Sequence, residues 1–289
     1  NDWMKKYLYL MRVHHYIKNI LIFMPLIFSG NLMDRRKFTA TLLGMIAFSL
    51  VTSAVYIIND LRDAEKDRMH PTKKNRPIAS GAVTPFHAVV LMVIILIVAM
   101  VLLAVSDATA GSYALVLLYL FINVAYSMGL KDVPLLDVTI LASGFLLRVL
   151  FGAVLTGTEV SEWLYLTVLS GAFYFSLGKR RNELQKKKDG DTRKVLKYYT
   201  RDFLDKNMYM CLALLNTFYA LWCKDITNAG MKYAMWTVPI VILICMKYSL
   251  TVEGNSEGDP VEVLLHDKVL MALCIVYGIV MVAMLYTGV

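Results

Sequence analysis

The sequence predicts an all-α, polytopic membrane protein of nine transmembrane helices, on three grounds. Its 289 residues are 58% hydrophobic with a mean hydropathy of +0.56, too apolar for an ordinary soluble globule. Ala88 to Val105 is an unbroken apolar run, the length a helix needs to cross a hydrocarbon core of about 30 Å. Lys and Arg gather in a few stretches between such runs, as loops flanking spans should.

Turn and charge signals place nine spans along the chain. Ile17 to Leu32 follows a basic, amphipathic leader, and Phe38 to Ile58 runs into the charged stretch that starts at Asn59. Phe86 to Ser106 follows Pro85, Gly111 to Met128 stops at Gly129, and Leu135 to Leu155 follows Pro134. Trp163 to Gly178 closes on Lys179-Arg180-Arg181. Met208 to Lys224, Met231 to Leu250 and Val269 to Tyr286 complete the set. The first span lacks a small-residue cleavage site, so no removable signal peptide is expected. Residues 1–289 are taken as a single integral membrane catalytic domain. The second and sixth spans are each followed by a long basic stretch, a hint of two similar halves.

With a cytoplasmic N-terminus, alternation puts on that side the leader through Lys18 and residues 59–85, 129–134, 179–207 and 251–268, which together hold 23 of the 30 Lys and Arg. That is a positive-inside pattern. Arg35-Arg36-Lys37 is its exception. Chemistry is therefore expected at the cytoplasmic face of the cell (plasma) membrane. The net charge of +8 could suggest nucleic acid, but the cations lie in loops without interleaved aromatic residues, so the expected partners are anionic lipid or phosphate and not nucleic acid. Cys211, Cys223, Cys245 and Cys274 fall in apolar segments without CxxC spacing and are read as small core residues.

The stretch Asn59 to Gly81 packs four carboxylates and six Lys or Arg together. Asn59, Asp63 and Asp67 are spaced i, i+4, i+8 and share one helix face. Three oxygen ligands there suit a hard cation such as Mg2+, completed by water and substrate phosphates. Asp60 joins through water. The plainer alternative is a solvated helix end paired with Arg62, Lys66 or Arg68. His70-Pro71-Thr72-Lys73-Lys74-Asn75-Arg76-Pro77 is bounded by prolines and should fold back as a loop, bringing Lys73, Lys74 and Arg76 to phosphates held by the metal, or else anchoring lipid head groups.

Four further groups are candidates. Lys131, Asp132 and Asp137 lie on a second cytoplasmic connection beside Tyr126, with Asp137 either a ligand of a second metal or a helix cap. Arg148 is a charge within an apolar span, functional by default or else a buried partner of Asp137. Lys179 and Arg180 could bind a phosphate by point charge and bidentate fork, although Lys179 could equally pair with Glu183; Lys186-Lys187-Lys188 is read as solvated. Lys18, with Asn19, enters the membrane where it could reach a lipid phosphate or snorkel. Glu257-Gly258-Asp259-Pro260 reads as a turn, and Val261 to Leu265 as an interfacial helix or a cover, leading to His266-Asp267-Lys268. No nucleophilic triad or P-loop stands out.

Asn59-Asp60-x-x-Asp63-x-x-x-Asp67, followed by Arg76-Pro77 and Gly81 among nine apolar spans, resembles the UbiA-type intramembrane prenyltransferase superfamily. The segments FMPLIFSG, HPTKKNRPIASG, YSMGLK, SGFLLR, GKRRNEL and EVLLHDK look like its decaprenyl-phosphate phosphoribosyltransferase branch. The resemblance implies a helical bundle around a cytoplasm-facing polar cavity. It also implies transfer of 5-phosphoribose from phosphoribosyl diphosphate to a polyprenyl phosphate, for a precursor of cell-wall arabinose. Magnesium and diphosphate then map to Asn59, Asp63 and Asp67, with Asp60, Asp63 and Asp67 as the catalytic set. Aromatic prenyltransferases of the superfamily carry a second D-x-x-x-D motif; Asp132 and Asp137 are five apart and depart from it. The competing activity is a prenyltransferase of the same fold, and a transporter or lipid-binding protein is disfavoured because transporter sites usually lie near the bilayer midplane. The sequence is compatible with a homo-oligomer.

Overall fold

The computed structural model describes residues 2–69, 73–185, 193–254 and 260–287. Among these the chain is helical throughout: α1 (Asp2–Met11), a 3-10 helix (Val13–Phe23), α2 (Met24–Phe28), α3 (Arg35–Arg68), α4 (Pro85–Val105), α5 (Ala110–Ser127), α6 (Leu136–Thr156), α7 (Glu162–Gln185), α8 (Arg201–Asn228), α9 (Val238–Glu253), α10 (Pro260–His266) and α11 (Lys268–Thr287). His70, Pro71, Thr72, Lys186 to Lys188 and Glu257 to Asp259 lie outside the described residues.

Six described helices are long and apolar enough to cross a membrane: α3, α4, α5, α6, α9 with the turn before it, and α11. The chain is a multi-pass membrane protein, and these six answer to six of the nine expected spans. The expectation for Ile17 to Leu32 needs correcting. That stretch is a 3-10 helix followed by α2, because Pro25 lacks an N–H and can sit only in the first turn of a new α-helix. α7 and α8 have the length of spans, but Ser170, Gly171, Ser176 and Gly178 in one and Asn207, Asn216 and Thr217 in the other dilute their hydropathy.

The chain gathers into two compact units, the first Asn1–Leu26, Asn31–Met128 and Arg148–Thr158, the second Ile27–Gly30, Gly129–Leu147 and Glu159–Val289. In the first unit α3 is the inner helix. Of its most apolar window 61% is buried, against 22% for α4, so α3 meets protein where α4 turns Val93, Ile97 and Val101 outward. Asp34 caps α3 by accepting from the amides of Arg36 (3.0 Å) and Lys37 (3.2 Å). At 1.5 Å per residue the 34 residues of α3 run about 51 Å, well beyond a core of about 30 Å. The surplus is the charged end, Asn59 to Arg68. The chain beyond it folds back: Ile78 and Val83 pack with Leu10, Ala54, Ile57, Ala88 and Ile95, and Arg68 Nε donates to the Ala79 carbonyl at 3.2 Å.

Close helix approach in this unit depends on missing side chains. A Cβ on Gly152 would stand 2.0 Å from the Ile22 carbonyl oxygen, a backbone atom that cannot turn aside.

In the second unit Val138, Tyr174, Leu177, Leu204, Met208, Cys211, Tyr248 and Val252 share one core with the short 3-10 turn Lys194–Tyr198. Thr200 caps α8 on the Phe203 amide (3.1 Å), and Asp267 caps α11 on the amides of Val269 (3.1 Å) and Leu270 (3.0 Å). The Asp267 carboxylate also takes Lys247 Nζ (2.8 Å) and the Thr251 hydroxyl (2.5 Å). The Lys247 bond first, then Thr251 and the Leu270 amide, hold its carboxyl well below the usual carboxylate range.

Two outcomes are expected. Gly152→Ala should lose about 1–3 kcal/mol or more through overpacking. Gly278→Ala, with nothing within 4 Å of the added Cβ, should not; equal melting temperatures in detergent would contradict the clash. Because the folded-state pKa of Asp267 is depressed, its stabilisation is complete above the ordinary carboxylate pKa of about 4 and fades as pH falls below it. Asp267→Asn should therefore melt lower than the parent near neutrality, with the gap narrowing between about pH 4 and pH 3, and a gap independent of pH would refute the assignment.

Candidate functional site

The projecting end of α3 carries the acidic motif, and its two most buried carboxylates lie two turns apart. Asp60 is 2% and Asp67 4% exposed. A carboxylate that far from water requires a cation beside it, and the returning chain supplies one. Arg76 Nη1 bonds Asp67 Oδ2 at 2.7 Å and Asp60 Oδ1 at 3.1 Å. Asp60 Oδ1 also takes a terminal nitrogen of Arg12 at 2.7 Å, whose guanidinium lies 4.7 Å from the ring centroid of Tyr56. Arg12, Arg76 and Asp60 line, with Tyr9, His14 and His15, a polar cavity of about 190 Å3.

Asn59 and Asp63 are half-buried on the neighbouring face of α3. The Asn59 carboxamide oxygen accepts from the Ser127 hydroxyl at the end of α5. Among the described residues no three His, Cys, Asp or Glu side chains stand close enough to hold a metal by themselves. Asn59, Asp63 and Asp67 offer two carboxylates and one amide, an all-oxygen set chemically suited to a hard cation that draws its other ligands from water and phosphate. Lys73 and Lys74 are exposed on the 3-10 turn Lys73–Asn75, and Lys18 and Tyr126 are half-buried.

Arg148 is 8% exposed. Its Nε donates to Asn19 Oδ1 (2.7 Å) and a terminal nitrogen to the Tyr119 hydroxyl (3.3 Å), and its guanidinium lies over the rings of Tyr119 (5.2 Å) and Phe48 (5.4 Å). Asn19, itself buried, donates to Ser49 (2.8 Å). An intramembrane arginine is thereby held by an amide, a phenol and two ring faces.

The second unit has its own polar cluster. Asp137 and Arg180 are both fully buried and meet at 2.5 Å. Arg180 Nη1 also bonds Glu183 (2.6 Å), which takes Arg193 Nε at 3.4 Å. The other oxygen of Asp137 accepts from the Tyr199 hydroxyl (2.5 Å), which in turn accepts from the Leu135 amide (2.8 Å). Leu135 has φ +65, a strained value for a non-glycine residue, so Tyr199 fastens a strained turn to a buried charge pair. Burial and the bond to Asp137 push the Tyr199 phenol up to about 12. The buried partner of Asp137 is thus Arg180, where the sequence suggested Arg148, and Arg180 holds two carboxylates where it was expected to face a phosphate. Arg181 bonds Asp205 at 2.5 Å. Lys131 and Lys179 are half-buried.

Sequence reasoning missed Arg12, His15, Tyr199 and Asp205, whose partners Asp60, Tyr56, Asp137 and Arg181 are distant in the chain, and His14, which stands beside His15. Asp60 was among the expected site residues, and it stands seven residues before Asp67, on one helix face.

The chain matches the UbiA prenyltransferase family over residues 21–263. It is 32% identical over 285 residues to the decaprenyl-phosphate phosphoribosyltransferase of Corynebacterium glutamicum, covering 96% of this chain and 85% of that one. It is also 32% identical over 280 residues to the enzyme of the same name from Mycolicibacterium smegmatis, covering 91% and 87%. Among solved structures, a UbiA homologue from Archaeoglobus fulgidus bound to DMAPP and Mg2+ superposes with a TM-score of 0.72 at 19% identity, over 98% of both chains, a likeness of fold. The chain is an enzyme of the UbiA prenyltransferase family.

Proposed function

We propose that the protein transfers 5-phosphoribose from phosphoribosyl diphosphate to a decaprenyl-type polyprenyl phosphate, releasing diphosphate. The observation that carries this is the 32% identity to decaprenyl-phosphate phosphoribosyltransferases across 96% of the chain. Residues 1–289 then work as one integral membrane catalytic domain. Its active side is cytoplasmic in the plasma membrane, a reading supported by the positive-inside charge pattern of the sequence.

In this reading the bond from ribose C1 to the diphosphate oxygen breaks, and a bond from C1 to an oxygen of the lipid phosphate forms on the opposite face, inverting C1. Magnesium held by Asn59, Asp63 and Asp67 would supply charge neutralisation for the departing diphosphate. The chain's own part is electrostatic. Lys73, Lys74 and Arg76 beside the acidic face, and Lys18, Lys131 and Lys179 on other elements, provide cations for the phosphate groups of donor and acceptor. Arg180 and Asp137 act as positioning residues, since each is closed on the other. Arg148 and Tyr126 are assigned to substrate binding. A phosphate acceptor is anionic at neutral pH and needs no general base.

Purified protein in lipid vesicles, given labelled phosphoribosyl diphosphate and polyprenyl phosphate, should yield labelled lipid. Turnover of a prenyl diphosphate on an aromatic or lipid acceptor, without labelled lipid, would instead make it a prenyltransferase. Asp63→Asn should cut turnover at least roughly hundredfold while leaving the melting temperature within a few degrees of the parent, and Asp67→Asn should cut it as far but also melt lower, because it removes a buried partner of Arg76.

A further inference from the structure

The polar cavity at the end of α3 holds more donors than its ion pairs use. Its lining of Tyr9, Arg12, His14, His15, Asp60 and Arg76 has no aliphatic side chain. The described bonds engage one terminal nitrogen each of Arg12 and Arg76, whereas a guanidinium carries five N–H donors in a fixed fork. His14 and His15 bring two imidazoles to the same wall, their centroids 4.2 Å apart.

The backbone puts them there at a cost. Arg12 sits at φ +51, ψ +47 between α1 and the following 3-10 helix, a left-handed conformation that residues with a Cβ seldom take. The His15 amide donates to the Arg12 carbonyl at 2.9 Å across this turn. The turn is further fixed by the Ser53 hydroxyl, which donates to the Met11 carbonyl at 2.7 Å, and by a 2.7 Å bond between Tyr16 and that hydroxyl. A strained arginine directed at a polar hollow, with two histidines following it, is the pattern expected where backbone energy is spent on binding.

We propose that this cavity is the subsite for a phosphate monoester, with Arg12, His14 and Arg76 as its donors, and that the monoester is the 5-phosphate of the sugar donor. The inference rests on the phosphoribosyl-transfer reading. A monoester dianion has three acceptor oxygens and suits a guanidinium fork. The acceptor's lipid phosphate has the same chemistry, but it brings an apolar tail for which this lining has no aliphatic wall. The subsite would explain how one fold separates a phosphorylated sugar donor from a prenyl diphosphate, which has no second phosphate to place there.

The test uses the full chain in detergent or vesicles, with ribose 5-phosphate as probe and ribose as control. Ribose 5-phosphate should bind the parent and ribose should not. Arg12→Lys, which keeps the charge but loses the fork, and His14→Asn, an exposed position safe for folding, should each weaken ribose 5-phosphate about tenfold or more. Both should raise KM for phosphoribosyl diphosphate by a similar factor and leave KM for polyprenyl phosphate within about twofold. Unchanged ribose 5-phosphate binding in both variants, or a rise confined to KM for the lipid, would overturn the proposal. Binding that depends on Arg12 and His14 in a protein that makes no labelled lipid would sustain the monoester subsite and defeat the transfer reading instead.

Discussion

Two carboxylates removed from water at the end of α3 constrain much of the first unit. Asp60 and Asp67 are nearly inaccessible, and an unpaired charge in that position would be far costlier than any single packing defect. Arg76 meets both, so the chain after α3 must return along the helix. That return places Ile78 and Val83 in the core with Ala54 and Ile57 and fixes where α4 can begin. Arg12 answers the same demand from the other direction, tying the turn after α1 to Asp60. The geometry of the acidic motif and the packing of the helices around it therefore have one electrostatic cause.

The second unit reaches a comparable solution with different parts. Arg180 lies between Asp137 and Glu183 as Arg76 lies between Asp60 and Asp67. In both, an arginine fork rather than a lysine point charge satisfies two carboxylates at once. The pair in the second unit is sealed from solvent, with Tyr199 closing the remaining carboxylate oxygen. Arg76 instead borders a polar cavity. A sealed pair serves to hold elements in place, and a bordered one can also meet a ligand, which is why the two clusters carry different roles in the proposed reaction.

Arg148 shows a third way to keep a charge inside an apolar span. Its amide, phenol and ring-face contacts need Asn19, Tyr119 and Phe48 from three other helical segments. The sequence could mark Arg148 as exceptional, because a lone charge in an apolar run is expensive anywhere. It could not name the partners, since each is chosen by how helices pack.

Local chemistry settled the helical class, six of the spans and the acidic face beyond the apolar stretch of α3. Hydropathy, capping and i, i+4 spacing act between near neighbours and are visible in one dimension. Pro25 marks a break, but the apolar run around it carried the expected span from Ile17 to Leu32 straight through. The contacts between Arg12 and Asp60, between Asp137 and Arg180, and between Tyr199 and Leu135 join residues 43 to 64 positions apart. Those pairings were decided by tertiary structure alone. A buried charge takes the partner that the packed backbone delivers to it, and nothing in the spacing of the residues fixes which one that will be.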